Sequence, residues 1–543
     1  MLPKSILLQL TGWLLASLLA FAKDPTVTIN TGTLIGRHLP EFNQDVYLGI
    51  PYAAKPQRFT PATLLMAKSK DAREVKQYGA SCPSYGSDTT VLLENGMITL
   101  DEDCLNLNVI VPKGYEKKGL PVLVWIYGGG WMQGTTADPR YNMSYIIEQS
   151  AEMGKPVIGV SMNYRLGGFG FLYGQDVLNS GNTNLGIRDQ RVALQWVQKN
   201  IKAFGGDADK VTIWGESAGA FSVGNHLLAY GGRDDGLFRA AILQSGNAVG
   251  PPHNDTRWYQ PLYNRITTTT GCYNATDTLQ CLREVPYESI YPAMNVGYEW
   301  FAVVDGAFVE QWPVLSLQQK KLIKVPLLLG TCTDEGTSFG VSGVDNDEEA
   351  VAQLITSKRW VVNTFQAQKV LSFYPDDPAV GSPFGTGNRT WPSLGLQYKR
   401  YSSIAGDITM DAPRRLLAET YSAKGVDQKV YSYRFDSPLL NTTSKVGVGH
   451  FSDIPYVFSN TDNKIITTLG DDPSHIKLGH LMARMWASFV TDLDPNGHGV
   501  DGVAKWPDYR KGPSNFVFRN DTSYVEADTY RKEGMAYINS WLR

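Results

Sequence analysis

Long apolar runs are nearly absent from this 543-residue sequence. The one at the start, within MLPKSILLQLTGWLLASLLAFAKD, is short and is interrupted by Gln9, Thr11 and Gly12. It follows Lys4 and ends in Ala20-Phe21-Ala22 ahead of a charged residue, an order that predicts a secretory leader (1–22) cut after Ala22, not a membrane anchor. No later segment is apolar enough to span a bilayer, and the terminal INSWLR is no lipid-anchor tail. Strong charge is also missing. A net charge of -3 argues against nucleic acid or an anionic membrane as partner. Internal repeats, heptads and low-complexity tracts are absent too, which leaves an ordinary globular chain. No linker-like stretch divides it, so residues 23–543 are expected to form one large domain.

Cysteine is scarce. The five are Cys82, Cys104, Cys272, Cys281 and Cys332. Behind a leader they belong to an oxidising compartment, and the simplest pairing is local, Cys82 with Cys104 and Cys272 with Cys281, leaving Cys332 free in an apolar strand. Six Asn-x-Ser/Thr sequons, at Asn142, Asn254, Asn274, Asn388, Asn441 and Asn520, are expected on surface loops as glycosylation candidates.

What is abundant is short apolar runs alternating with helical patterns. LPVLVWIY (120–127), KPVIGVSMNY (155–164), KVTIW (210–214), FRAAILQ (238–244) and VPLLLGT (325–331) read as buried strands. RDQRVALQWVQKNI (188–201) and AFSVGNHLLAY (220–230) read as helices between them. This alternation predicts an α/β fold with a large, mostly parallel sheet covered by helices on both faces. TVTINTGTLIGRHL and VYLGIPYA predict a small antiparallel region ahead of that sheet. Residues 346–424 read as a helical excursion over it. Strand 428–436 rejoins the sheet, and helices over 474–492 and 530–542 close the chain.

Gly-x-Ser-x-Gly occurs twice, as Gly215-Glu216-Ser217-Ala218-Gly219 and Gly336-Thr337-Ser338-Phe339-Gly340. A nucleophile elbow needs a strand before the serine and a helix after it. Only Ser217 has both; Ser338 leads into the polar VSGVDNDE and reads as a structural turn. A serine needs a base, and the base needs an acid, in the chain order Ser, acid, His. Histidine is also scarce, seven in all, which permits elimination. His38 precedes the sheet, His226 lies in the helix after the elbow, and His253 comes before any later strand that could supply the acid. His475 and His480 fall within a helix, where capping or packing accounts for them, and His498 sits in what reads as a surface turn. His450, in the glycine loop KVGVGHFSD after strand 428–436, is the candidate base. Asp334 and Glu335 both end a buried strand, where catalytic groups collect in open sheets. Spacing does not choose between them. Gly128-Gly129-Gly130 after strand 120–127, with the Ala218 N–H, can supply oxyanion donors.

These residues resemble the type-B carboxylesterase/lipase family of the α/β-hydrolase fold, which includes the cholinesterases. The resemblance rests on FNQDVYLGIPYA, EDCLNLNV, VLVWIYGGGW, SMNYRLGGFGF, NLGIRDQRVALQWVQKNIKAFGGDADKVTIWGESAGAFSV, AILQSG, GTCTDEGT and GVGHFSDIPYVF, and is greatest to secreted fungal members. It implies a triad of Ser217, Glu335 (not Asp334) and His450, with Gly129, Gly130 and Ala218 as oxyanion donors and Ser245 as a supporting serine. It also supports both cysteine pairs. Trp131, Phe221, Trp300, Phe301, Phe339 and Phe451 are candidates for an apolar acyl pocket. The family's fungal lipases carry a long apolar cover between the first two cysteines. Here PSYGSDTTVLLENGMITLDED (83–103) holds a single apolar patch, Val91-Leu92-Leu93, which favours a secreted esterase over a lipase working on emulsified lipid or sterol esters. The implied partner is a small or lipid-like ester, and no metal or organic cofactor is required. Non-catalytic adhesion or carrier relatives usually lose a triad member, whereas this chain keeps all three.

Overall fold

The computed structural model describes residues 24–115, 118–297, 300–357, 359–461 and 469–543. The expected leader falls outside the described residues. Two sheets are present among them. β1 (Thr26–Ile29) and β2 (Gly32–Ile35) form an antiparallel hairpin that joins β5 (Arg73–Glu74) in a small sheet. The rest build one sheet in the order β14-β13-β12-β11-β10-β9-β7-β8-β6-β4-β3. The antiparallel N-terminal region is therefore split. β3 (Arg37–Leu39) and β4 (Gln44–Pro51) pair as expected but extend the edge of the main sheet instead of standing apart from it.

β8 (Ile158–Met162), β7 (Leu120–Ile126), β9 (Gly206–Glu216), β10 (Ala240–Gln244), β11 (Leu327–Cys332), β12 (Val430–Phe435) and β13 (Ser514–Phe518) run parallel. Val122, Val124, Ile213, Ile242 and Leu328 are fully buried because helices cover both faces, which is why these strands read as unbroken apolar runs. Three strands of the main sheet carried no strand reading in the sequence: β6 (Asn106–Pro112), β13 and β14 (Tyr524–Ala527). From β7 the chain passes to β8, then returns through the helix Leu185–Asn200 to the other side of β7 as β9. That reversal opens a crevice at the carboxyl ends of β7 and β9, the place where open α/β sheets bind ligands.

The excursion is helical, with helices Asp347–Thr356, Thr364–Leu371, Tyr398–Gly406 and Ala412–Ser422. A π-helical turn, Asp407–Asp411, joins the last two. Val344, Leu354, Trp360, Leu371, Ile404 and Ile408 form a small second core there, completed by Met535 and Ile538 from the helix Lys532–Asn539. Both expected disulfides are formed, Cys82–Cys104 and Cys272–Cys281, and Cys332 is buried and free.

Candidate active site

Ser217 sits between β9 and the helix Ala218–Gly232 with φ 53° and ψ -124°, a conformation that costs a non-glycine residue about 1–3 kcal/mol. The surroundings impose it. Ser217 N–H donates to Gln244 O (3.0 Å), and its carbonyl accepts Phe221 N–H (2.8 Å). The flanking residues must be glycine because the turn is so tight. A Cβ on Gly215 would lie 2.4 Å from the Gly219 carbonyl carbon, and one on Gly219 would lie 2.0 Å from Ile126 O. The second motif does something different. Ser338 ends the short 3₁₀ turn Glu335–Thr337 with φ -90°, in ordinary helical space. It also lines the cavity described below.

The His450 imidazole faces two carboxylates. Nδ1 is 2.7 Å from Glu335 Oε2, and Nε2 is 3.3 Å from Glu216 Oε1. The other Glu335 oxygen accepts Ser245 Oγ–H (2.5 Å) and Cys332 N–H (2.8 Å), so the carboxylate is fixed by β10 and β11 together. Asp334 turns elsewhere, accepting from Ser382 Oγ, Phe384 N–H and Val448 N–H. Of the two neighbouring acids, Glu335 is the one that reaches His450. Burial opposes charge on the imidazole, but Glu335 and Glu216 outweigh it and raise its pKa to about 9. Burial pushes the Glu216 carboxyl up to about 8, against the pull of His450, and the Asp334 carboxyl up to about 6, against its N–H and O–H donors.

Gly129 (φ 88°) and Gly130 (φ 65°) adopt left-handed backbone at the end of β7. A Cβ on Gly128 would lie 2.9 Å from Ser217 Cβ, so the glycine turn lies directly against the elbow. The Gly129 carbonyl, not its N–H, ties the turn, accepting Met132 and Gln133 N–H at 3.1 Å each. Ser217, His450, Gly129 and Gly130 all line one cavity of about 530 Å³. Trp131, Phe221, Phe301, Phe339 and Phe451 line it too, and the Phe339 ring lies 4.9 Å from the His450 ring.

The carboxylesterase family model matches residues 23–537. The chain belongs to the carboxylesterase family. It is 35% identical to "Secreted lipase 1" of Botryotinia fuckeliana, over 95% of this chain and 93% of that one. It is 33% identical to "Lipase 2" of Diutina rugosa, over 97% and 98%. The crystal structure of Aspergillus niger EstA superimposes with a TM-score of 0.82 at 27% identity, covering 95% of this chain and 98% of the other. The protein is a carboxylic ester hydrolase with an α/β-hydrolase fold.

Several sequence expectations for this carboxylesterase need correction. Trp300 is not a cavity residue: it is fully buried, stacked on Tyr259 at 6.0 Å, with its indole N–H directed to Met294 O. His498 is buried, not in a surface turn, and its Nδ1 accepts Val500 N–H (3.1 Å). Asn254 is 5% exposed, so the folded carboxylesterase hides that sequon. Asn274, Asn388 and Asn441 are exposed, and Asn142 and Asn520 are half-buried. His226 and His253 are also buried, which lowers them to about 3 and about 4 and leaves them neutral.

The cavity also has walls that sequence reasoning missed. Asp88, Gln133, Arg140, Tyr141, Glu216 and Met410 line it. Arg140 is held by Asp138 and by Asp88 of the helix Ser87–Glu94 (2.5 Å), and its guanidinium lies 4.9 Å from the Phe451 ring. Glu216 could have been read from its place beside the serine. Met410 had no signal, because a π turn inside a helical pattern leaves no mark in spacing.

Proposed function

We propose that this carboxylesterase works through an acyl-enzyme on Ser217, with His450 as base and Glu335 as its orienting acid. One observation carries the reading: the imidazole bonded to Glu335 opens onto the same cavity as a strained serine. His450 takes the Ser217 proton as Oγ attacks the ester carbonyl, then passes it to the departing alcohol. Glu335 holds the ring orientation and offsets its positive charge. Gly129, Gly130 and Ala218 N–H groups receive the oxyanion, each donor being worth about 3 kcal/mol. Water then attacks the acyl carbonyl by the same route. The half-buried serine shares its cavity with Trp131, Phe221, Phe301, Phe339 and Phe451, side chains that fit an apolar acyl group. The Botryotinia fuckeliana relative, named as secreted, and the expected leader support export.

The decisive test is stoichiometric labelling with an organophosphate, absent in Ser217→Ala. A wild type that resists labelling while hydrolysing esters overturns the triad. A lipase reading draws on the lipase-named relatives. Against it, the cover between Cys82 and Cys104 contains only the eight-residue helix Ser87–Glu94, with Val91 and Leu93 exposed and Leu92 buried beneath it. Rates on p-nitrophenyl esters of rising length, below and above micelle formation, separate the two. The expected result is a smooth dependence on concentration, and a rate jump at the interface would favour the lipase.

A further inference from the structure

The acid that does not touch the imidazole has a place in the site of its own. Between β12 and the helix Ile454–Phe458 the chain runs without strand or helix, and this stretch carries His450. Three groups anchor its 445–448 portion, just ahead of His450. Tyr398 donates its hydroxyl to Lys445 O (3.1 Å), and Thr337 Oγ1 donates to Val446 O (2.8 Å). Asp334 holds both polar groups of Val448, two residues before His450. Its N–H donates to Val448 O (2.8 Å), and its Oδ2 accepts Val448 N–H (2.9 Å). The next residue along from Asp334 is Glu335, so the segment that supplies the acid also sets the register of the base.

We propose that Asp334 is a positioning residue for His450, acting through the backbone of the loop at Val448. The proposal rests on the triad reading above. The carboxylate is well suited to the task because it is buried and fully used. Oδ2 holds the loop, while Oδ1 accepts Ser382 Oγ–H (2.8 Å) and Phe384 N–H (2.8 Å) from the excursion. The loop is shaped to reach it. Gly447 passes over the carboxylate with φ 64°, and a Cβ there would lie 2.2 Å from Oδ2. A side chain at 447 would drive the loop off Asp334 and carry His450 with it. Substrate contacts lie elsewhere, so the ring's alignment with Ser217 and Glu335 is what changes.

The test compares three variants with the wild-type enzyme on a soluble ester. Asp334→Asn presents an amide N–H₂ to at least one N–H or O–H donor, and is expected to lower kcat about 100-fold, the cost of roughly 1 Å of misplacement. KM should stay near the wild-type value, and the downfield proton resonance of the His450–Glu335 hydrogen bond should shift or vanish. Gly447→Ala should reproduce both changes. Ser382→Ala removes one donor to the far oxygen and leaves Val448 held, so its kcat should stay near wild type even where its melting temperature falls. Wild-type kcat in Asp334→Asn or in Gly447→Ala overturns the proposal, as does a kcat loss in Ser382→Ala equal to theirs. If Asp334→Asn does not fold, the contrast between Gly447→Ala and Ser382→Ala decides. Failure of the triad itself would show separately, as undiminished hydrolysis by Ser217→Ala.

Discussion

Glu216 bears on the proposed chemistry without being a member of the proposed triad. It lies beside Ser217 in sequence, is 1% exposed, and faces His450 Nε2, the nitrogen that takes the serine proton in the proposed mechanism. Its negative charge stabilises the imidazolium and so works against the neutral base. Glu216→Gln removes that charge. The acidic limb of kcat/KM, which reports His450 in the free enzyme, should then move to lower pH by about one unit or more. A limb that stays in place would remove Glu216 from the electrostatics of the base. Stability should respond as well. A carboxyl raised to about 8 keeps its proton in the folded state after the unfolded chain has lost it, so it stabilises at acid pH and that contribution fades as pH rises through 8. Glutamine has no such proton. Melting temperatures followed from about pH 5 up to pH 8 should show a smaller decline in the variant.

At the level of elements, the strand-turn-helix around Ser217 depends on absent side chains. Gly219→Ala would set a Cβ 2.0 Å from Ile126 O, the last residue of β7, forcing the helix Ala218–Gly232 away from the sheet. We expect a loss of about 3 kcal/mol or more, seen as a lower melting temperature, together with lost labelling at Ser217. Unchanged melting would mean that the helix has slack the close approach denies. This same tightness made the elbow readable: a buried strand, two required glycines and a helix all leave marks in a short window. The buried strands β7 to β12 were legible for a similar reason, since parallel strands covered on both faces become apolar runs. β14 was not, because its burial pattern along YVEA is mostly exposed, and it pairs only with β13 at the sheet edge. β13, SNFVF, is a five-residue run, too short for periodicity to separate from a loop or a helix turn. In the site, Ser217 came from its strand-turn-helix context, the acid pair from its place at a strand end, and His450 from chain order and elimination among seven histidines. The choice of Glu335 over Asp334 came from resemblance, and only the fold shows the two side chains turned to different partners. Trp300 was misplaced because an aromatic next to a cavity residue in sequence, here Phe301, can as easily pack behind the wall.

Over the whole molecule, the last residues of the chain reach back to the wall of the cavity. Arg531 makes a two-pronged pair with Asp407, Nε to Oδ2 at 2.7 Å and Nη2 to Oδ1 at 2.6 Å. Tyr374 donates its hydroxyl to the same carboxylate (2.6 Å), and Thr331 of β11 holds Asp411 (2.7 Å). Asp407 and Asp411 bracket the π turn whose Met410 lines the cavity. The excursion, the C-terminal segment and the central sheet are therefore joined at one turn, and that turn shapes the cavity at Ser217. Arg531→Met strands the buried Asp407 charge, a loss of about 3–5 kcal/mol. Pairing it with Asp407→Asn removes the stranded charge and should recover most of that stability. The readouts are melting temperature and the chain-length profile on p-nitrophenyl esters. The single variant should melt lower and lose selectivity between acyl lengths as Met410 loosens, and the double variant should regain both. A double variant that regains stability while its length profile stays altered would show that the charge pair, not merely the burial of Asp407, holds the wall in place. A single variant with wild-type selectivity would mean that Met410 is held by its apolar neighbours alone.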